Sequence, residues 1–360
     1  MTPQFQVVRD ESDPAFIHAW TTHVSARELS LDPDYLRLLA EASPGVTHHY
    51  VACRDEDGAV RGLAYIALQQ QRIAGLLPLR VLVLGGRVAA GQAFWFDEQV
   101  WSFSSFMSAL RQFLALTFPH GLIVLKEFSR ERDASAIDQN QRAGFVNVPC
   151  FHRSRVPLQG AMTLAAYLDT LSSKRRYHLR KVLRDAQAQG LECEVLERFE
   201  HLLDQLYPLY LAVNARAQEA RTPPLPRQLF DLMARHLESV RMLVLRQAGQ
   251  IRGFGLLLHR HGQVKCMVIG QDYAVARELN LWYLLVLHSI EYAAQHGCET
   301  VDLGSTNQDM KRKFGAVCEE IWISVRHQND RWQHWLAPYI RFSLRRMYAQ
   351  PRREGETPVH

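Results

Sequence analysis

Residues 296–316 read HGCETVDLGSTNQDMKRKFGA, and this stretch decides the fold. It opens with His-Gly, which ends a preceding amphipathic segment, and continues with a short apolar run interrupted by Asp302. Side chains alternate across a strand, so Asp302 shares a face with Gly304, opposite the apolar neighbours. The residues after it predict a short helix that leads through Lys-Phe-Gly into another apolar run. The stretch therefore predicts a strand, a turn, a short helix and a second strand.

The same succession of elements occurs in both halves of the chain. An apolar hairpin is followed by a helix that ends in His-Gly, then by a strand, a short helix and a last strand. The matching ranges are 50–68 and 242–259 for the hairpins, 101–118 and 281–295 for the helices, and 121–128 and 298–305 for the strands. Five landmarks in one order indicate an internal duplication. We therefore predict an α/β (α+β) chain of two tandem units, each a mixed sheet flanked by helices.

Length and composition agree with two globular units. The chain has 360 residues, and domains average ~150 residues. A hydrophobic content of 47% excludes general disorder, and the six cysteines contain no closely spaced pair that would indicate a zinc site or a disulfide framework. No apolar run approaches the ~18 residues of a membrane span, and the first residues do not resemble a signal peptide. We expect a cytoplasmic protein without stable membrane insertion.

A basic helix is predicted between the two units. Residues 172–190 read SSKRRYHLRKVLRDAQAQG, and Arg176, Arg180 and Arg184 recur at a spacing of four. Six cations lie within residues 174–184, before the first acid, Asp185. One interpretation is a contact with phosphates, either of a CoA-like donor or of a tRNA acceptor stem. The alternative is an ordinary solvated helix face.

Together these patterns resemble a known fold. Each unit is similar to the GNAT acyltransferase fold, and two units joined by a basic helix resemble the FemABX peptidyltransferase superfamily. Residues 172–190 and 296–316 carry the resemblance most clearly, and it extends over residues 45–326. It implies transfer of an acyl or aminoacyl group from an activated donor to an amine.

One segment departs from the GNAT pattern. GNAT enzymes that use acetyl-CoA carry a glycine-containing loop before the central helix, where backbone N–H groups hold the pyrophosphate. Here residues 271–280 read QDYAVARELN and contain no glycine. The departure argues against ordinary acetyl-CoA binding. It is compatible with the aminoacyl donors of the FemABX-like group or with another acyl carrier.

The candidate catalytic residues are Asp302, Tyr283 and Lys313. A carboxylate at Asp302 could accept the proton of the attacking amine if its surroundings raise its pKa; the alternative is a structural aspartate bound to backbone or to a cation. Tyr283 is an acid/base candidate that could equally be packed in the core. Lys313 offers a cation near the leaving group, at the mouth of the expected cleft.

The candidate donor-binding residues surround this strand and the basic helix. They are Arg176, Arg180, Arg184, Gly304, Ser305, Thr306, Lys311 and Phe314. Thr306 and Asp309 are spaced as a capping box, and free N–H groups at Gly304 to Thr306 would suit an anionic ligand or an oxyanion. Phe314 could offer the donor an aromatic platform or could simply lie in the core.

These observations predict an N-acyltransferase. We expect an N-terminal domain over 1–158, a C-terminal domain over 159–330 opened by the basic helix (168–190), and a basic helix with a disordered tail over 331–360. No metal or cofactor is expected beyond the donor, acyl-CoA or aminoacyl-tRNA, and the acceptor would be an amine such as a cell-envelope precursor. The alternative is a catalytically inactive GNAT-fold protein that binds such a precursor or an RNA stem.

Overall fold

The computed structural model divides the chain into two compact units. It describes residues 4–9, 11–73, 77–86, 90–216 and 223–348. Unit 1 combines Met1–Cys150 with Glu320–Met347, and unit 2 combines Phe151–Glu319 with Tyr348–His360. Each unit thus contains two separate stretches of the chain.

The first half of the chain supplies most of unit 1. Its elements are β1 (Gln4–Val7), α1 (Pro14–Trp20), α2 (Pro33–Glu41), β2 (Val46–Arg54), β3 (Val60–Ile73), β4 (Leu77–Leu84), β5 (Phe94–Phe96), α3 (Phe103–Thr117), β6 (Leu122–Ser129), α4 (Ala134–Arg142) and β7 (Val146–Pro157). Ser102 caps α3 and, with Ser105, forms a capping box.

The second half supplies most of unit 2 and then returns to unit 1. Its elements are α5 (Leu164–Thr170), α6 (Ser173–Ala188), β8 (Leu191–Leu196), α7 (Leu203–Arg216), α8 (Arg227–His236), β9 (Val240–Gln247), β10 (Gln250–Arg260), β11 (Gln263–Gln271), α9 (Leu281–Gln295), β12 (Thr300–Asp302), α10 (Gln308–Arg312), β13 (Val317–His327) and α11 (Asp330–Tyr348).

The two units have the same strand order. In unit 1 the order is β1-β2-β3-β4-β6-β13, with β5 paired to β3, and in unit 2 it is β8-β9-β10-β11-β12-β7. In both orders the fourth and fifth strands are parallel and the other recorded pairs are antiparallel. The predicted fold class is therefore confirmed.

The last strand of each unit comes from the other half of the sequence. Residues 155–157 of β7 pair with β12, whereas residues 321–327 of β13 pair with β6. The compact units consequently differ from the predicted domain ranges 1–158 and 159–330. A sequence pattern assigns each strand to the unit that is adjacent in the sequence. In the folded protein, however, β7 pairs with β12 and β13 pairs with β6.

The predicted basic helix over 168–190 is divided in the structure. Helix α5 ends at Thr170, and α6 begins at Ser173 with Ser172 as its N-cap. Gly190, at a φ of 68°, follows the end of α6, as predicted. The predicted C-terminal helix is α11, and the predicted disordered tail falls on residues 349–360, which lie outside the described residues.

Each unit has its own core. In unit 1, α3 packs aromatic side chains such as Phe106 against the sheet, and in unit 2 the apolar helix α9 lies against β9, β10 and β11. Along the described residues, no helix is both long and apolar enough to cross a membrane.

Gly270 in β11 provides a test of this packing. A Cβ atom there would collide with the ring of Phe254 and lie 2.8 Å from the backbone nitrogen of Tyr210. We expect Gly270→Ala to lower the free energy of unfolding by about 1–3 kcal/mol, because the core must move to admit the methyl group. Gly255→Ala is the control, since its Cβ would meet only Leu285, at 3.9 Å. Equal chemical denaturation midpoints for the two variants would contradict the prediction.

Candidate active site

Tyr283 and Lys313 form the centre of the candidate active site, within unit 2. Helix α9 begins at Leu281, after Asn280 in the left-handed conformation (φ 52°), so Tyr283 lies in its first turn. Lys313 follows the end of α10, and its Nζ donates a hydrogen bond to the Tyr283 hydroxyl at 3.1 Å. The structure therefore brings together two of the three predicted catalytic residues.

The neighbouring ring of Phe314 holds this pair in place. Phe314 is fully buried, and its ring centroid lies 5.6 Å from that of Trp282 and 5.4 Å from that of Tyr283. Its carbonyl oxygen also accepts a hydrogen bond from the Tyr167 hydroxyl. Of the two alternatives for Phe314, an aromatic platform for the donor or a core position, the structure shows the core position. Because Phe314 is fixed, the exposed Lys313 beside it has a defined position.

The hydroxyl of Tyr283 both accepts and donates a hydrogen bond. Its oxygen accepts from Lys313, and its own proton is directed to the sulfur of Met310 at 3.9 Å. A thioether is a weak acceptor, so an oxygen or sulfur of a bound substrate would compete for that proton successfully. The ammonium group of Lys313 would stabilise negative charge that develops at the same place.

Helix α6 contributes a third group to this site. The exposed ring of His178 lies edge-on to Tyr283, with centroids 5.3 Å apart. His178 was not among the predicted site residues, although it lies in the middle of the basic stretch 172–190. At 100° per residue, Lys174 and Lys181 lie within roughly 60° of His178 around α6, whereas Arg176, Arg180 and Arg184 lie on the opposite side of the helix.

The predicted arginine stripe on α6 is partly neutralised. Arg180 donates to the Asp169 carboxylate at 2.8 Å, and Arg176 lies 3.6 Å from the same oxygen. Asp169 was not among the predicted site residues, because it precedes the stripe and lies near the end of α5. Arg184 is exposed, as are Lys174 and Lys181. The helix therefore keeps an excess of positive charge on its exposed face.

Asp302 lies in a buried ion cluster. Arg153 donates to its Oδ2 through Nε and Nη2, both at 3.0 Å, and Lys265 donates to the same oxygen at 2.9 Å. The backbone N–H of Gly304 donates to Oδ1 at 2.8 Å. The side chains of all three ionised residues are about nine-tenths buried.

The condition for Asp302 to act as a base, a raised pKa, is not met. Burial alone would raise the pKa, but the charges of Lys265 and Arg153 and the hydrogen bonds from Lys265 and Gly304 hold it well below the usual range. A carboxylate that is so strongly stabilised in its ionised form is a poor proton acceptor. Asp302 therefore has the structural role that was the alternative to a catalytic base, since it contacts two cations and a backbone N–H.

The turn after Asp302 also differs from the prediction. The Gly304 N–H is used by Asp302, so it is not a free donor for an anion. Ser305 and Thr306 lie in the turn, and α10 begins at Gln308 with Asn307 as its N-cap rather than with a Thr306–Asp309 capping box. Lys311, a candidate donor-binding residue, is buried in the structure.

Arg153 and Lys265 are the charged residues of this region that sequence analysis missed. Arg153 lies 149 positions before Asp302 and reaches it only because β7 pairs with β12. No local sequence signal indicates such a contact. Lys265 interrupts the apolar strand QVKCMVIGQ, and a lone charge in such a strand indicates a buried partner.

The loop before α9 is closed by its own hydrogen bonds. The N–H of Ala274 donates to the Asp272 carboxylate, Val275 to the Asp272 carbonyl, and Leu279 to the Val275 carbonyl. Arg252 pairs with Asp272 at 3.0 Å. In a glycine-containing loop the backbone amides would bind a pyrophosphate. Here some of them donate to Asp272 and Val275 instead, which agrees with the lack of glycine in the sequence.

Comparisons with known proteins identify the fold. Residues 173–312 match the family model described as an acetyltransferase (GNAT) domain. A search of curated proteins finds no matching sequence. Among solved structures, FemX superposes with a TM-score of 0.62 at 11% identity, over 89% of this chain and 96% of FemX.

Two further structures are similar to the chain over most of its length. L-PGS from Bacillus licheniformis gives a TM-score of 0.55 at 14% identity, over 89% of this chain and 98% of its own. A tandem GNAT protein from the clavulanic acid biosynthesis pathway gives 0.55 at 13% identity, over 91% and 99%. Residues 173–312 are therefore similar to a GNAT domain, and the chain as a whole shares its fold with FemX and with the tandem GNAT protein.

Proposed function

We propose that the chain transfers an acyl or aminoacyl group from an activated ester or thioester to an amine. The observation that carries the proposal is the Tyr283–Lys313 pair at the start of α9, beside the basic helix α6. A proton donor and a fixed cation are the groups that departure of an alkoxide or thiolate requires. The GNAT match over residues 173–312 supports the class of reaction.

The proposed chemistry assigns one role to each group. The neutral amine attacks the acyl carbonyl carbon and forms the new C–N bond, and the bond from carbon to the leaving oxygen or sulfur then breaks. Tyr283 gives its proton to the leaving atom, and Lys313 stabilises the negative charge there. The amine passes its extra proton to water, and the tyrosine regains a proton from solvent. Asp302 takes no part, because it is held as an ion-paired carboxylate.

The exposed face of α6 is proposed to bind the carrier of the acyl group. Residues 174–184 extend over roughly 15 Å of helix, at 1.5 Å per residue. That length exceeds one pyrophosphate and suits a chain of phosphates, so the helix favours an aminoacyl-tRNA donor over acyl-CoA. The closed loop 272–280 supports the same preference.

Charge reversal on α6 tests whether this helix binds an aminoacyl-tRNA donor. We expect Arg180→Glu to weaken binding of aminoacylated tRNA about tenfold and to reduce the salt dependence of binding, since phosphate contacts release counterions. Fluorescence anisotropy over a salt series measures both quantities, with acetyl-CoA titrated in parallel. Arg227→Glu on α8 is a matched control, because both arginines are about half exposed and each pairs with one exposed aspartate.

Two results would contradict the proposal. Binding that is independent of salt and of Arg180 would make α6 a solvated face. Binding of the donor without transfer to any of a panel of amines would favour the alternative, a binding protein that has kept the GNAT fold.

A further inference from the structure

Helix α11 exposes a group of large apolar side chains on the surface of unit 1. Their exposed fractions lie between 47% and 78%, and the residues are Trp332, Trp335, Tyr339, Phe342 and Met347. Four aromatic side chains on one exposed helix are unusual, because soluble surfaces seldom present contiguous apolar patches. We call Trp332, Trp335, Tyr339 and Phe342 the aromatic stripe.

The aromatic stripe points away from the core of unit 1. At 100° per residue its four members fall within an arc of roughly 80°, and the buried Gln333 and Ile340 lie roughly 130° from the centre of that arc. Gln333 fixes this orientation, since its amide donates to the Gly144 carbonyl at 2.7 Å and its oxygen accepts from the His327 N–H at 2.7 Å. The stripe therefore has a fixed outward direction.

The same helix carries only positive charge beyond its first residue. Asp330 is bound by Arg326, and no other acid occurs in α11. Its arginines are all exposed, namely Arg331, Arg341, Arg345 and Arg346. Among the residues that the structure describes, none of the four forms an ion pair. Arginine carries its charge on a long apolar stem, so it can hold phosphate while the stem lies along an apolar layer.

We propose that the aromatic stripe and its arginines dock unit 1 onto an anionic lipid membrane, with α11 lying in the plane of the interface. Tryptophan and tyrosine favour the boundary between headgroups and acyl chains, and arginines are attracted by anionic headgroups. The complementary charge selects this occupant over a second copy of the chain, because Arg331 and Arg346, which lie within roughly 60° of the centre of the stripe, would be brought close to the same arginines of a second copy across a two-fold interface. The proposal does not depend on the proposed function, since docking requires no turnover.

Vesicle binding tests the proposal with the full chain. We expect the protein to cosediment with vesicles containing about 30% phosphatidylglycerol in phosphatidylcholine at least tenfold more strongly than with phosphatidylcholine alone, and less strongly as salt rises. The double variant Trp335→Ser and Phe342→Ser should lose at least tenfold in binding, because it removes the apolar contacts. The double variant Arg331→Gln and Arg346→Gln should lose the preference for phosphatidylglycerol, because at 100° per residue these two arginines lie within roughly 60° of the centre of the stripe.

Leu116→Ser is the control for loss of an exposed apolar side chain, since Leu116 is also exposed in unit 1, on α3. It should bind vesicles as the wild type does. Should the aromatic variant unfold, a blue shift of wild-type tryptophan emission and its quenching by brominated lipids supply the test, because Trp332 and Trp335 are exposed without the membrane.

Three outcomes would overturn the proposal. The first is a wild type that does not bind the anionic vesicles or whose tryptophans are not quenched there. The second is undiminished binding by a folded aromatic variant. The third is a wild-type dimer in native mass spectrometry that the aromatic variant dissociates, which would assign the stripe to a second copy.

Discussion

The Asp302→Asn variant will unfold with a free energy about 3–5 kcal/mol below that of the wild type. The substitution removes the negative charge that Arg153 and Lys265 share, and both cations are buried in unit 2. Removing the anion from a buried ion cluster leaves less negative charge around both cations, and this loss costs more than the intact pairs contribute. Chemical denaturation followed by circular dichroism measures the difference.

Asp272→Asn is the control for this variant, since Asp272 pairs with Arg252 at 3.0 Å but is partly exposed. We expect it to cost about 1 kcal/mol or less. Equal stabilities of Asp302→Asn and the wild type, with reduced turnover, would contradict the structural role and restore Asp302 as a candidate base.

The same cluster determines how stability depends on pH. The pKa of Asp302 is lowered in the folded protein, so the carboxylate stabilises the fold at any pH above the ordinary aspartate value of about 4. This contribution declines as the pH falls below that value toward the lower pKa of the folded state. Between about pH 4 and pH 2, the stability of Asp302→Asn should therefore change less steeply than that of the wild type.

The Tyr283→Phe variant is expected to lose about 10²-fold in turnover, the usual scale for removal of a general acid. Its melting temperature should hardly change, because the ring stays against Phe314 and the exposed Lys313 can bind water instead. Donor affinity should also change little, since the hydroxyl acts on the leaving atom in the transition state. The measurement is single-turnover transfer at saturating donor.

Tyr207→Phe is the control for loss of a tyrosine hydroxyl, because Tyr207 lies on α7 in the same unit and its hydroxyl donates to the Leu225 carbonyl rather than to a residue of the candidate site. Its turnover should equal that of the wild type. Normal turnover in Tyr283→Phe would exclude the tyrosine as the acid, whereas weaker donor binding with an unchanged rate of transfer would make it a binding residue.

The repeated elements of the chain could be predicted from local signals. Helix α9 occupies the predicted range 281–295. It ends there because Gly297, two residues later, adopts the left-handed conformation (φ 64°) that commonly follows a helix. The sequence predicts individual residues of the candidate site, but not which of their side chains lie in contact. Tyr283 and Lys313 were both candidates, but nothing in a spacing of 30 positions indicates that their side chains meet.

The lowered pKa of Asp302 could not be predicted from the sequence. Its strand position was predicted correctly, and β12 ends at this residue. The sign of its pKa change depends on Arg153, which a paired strand brings from 149 positions away. A pKa is set by the nearest charges in space, and an alternation pattern carries no information about them.

Because β13 pairs with β6 and β7 pairs with β12, the sheet of unit 1 cannot be completed until β13 has been synthesised. One edge of β6 pairs with β4, but its other edge pairs with residues 321–327, so a nascent chain must expose that edge until those residues have left the ribosome. Unpaired edges recruit other strands, which makes this interval prone to aggregation. A fragment that ends at residue 150 would keep the edge open permanently. Expression of separate units should therefore start from a rearranged gene, in which residues 320–347 are joined to the first 150.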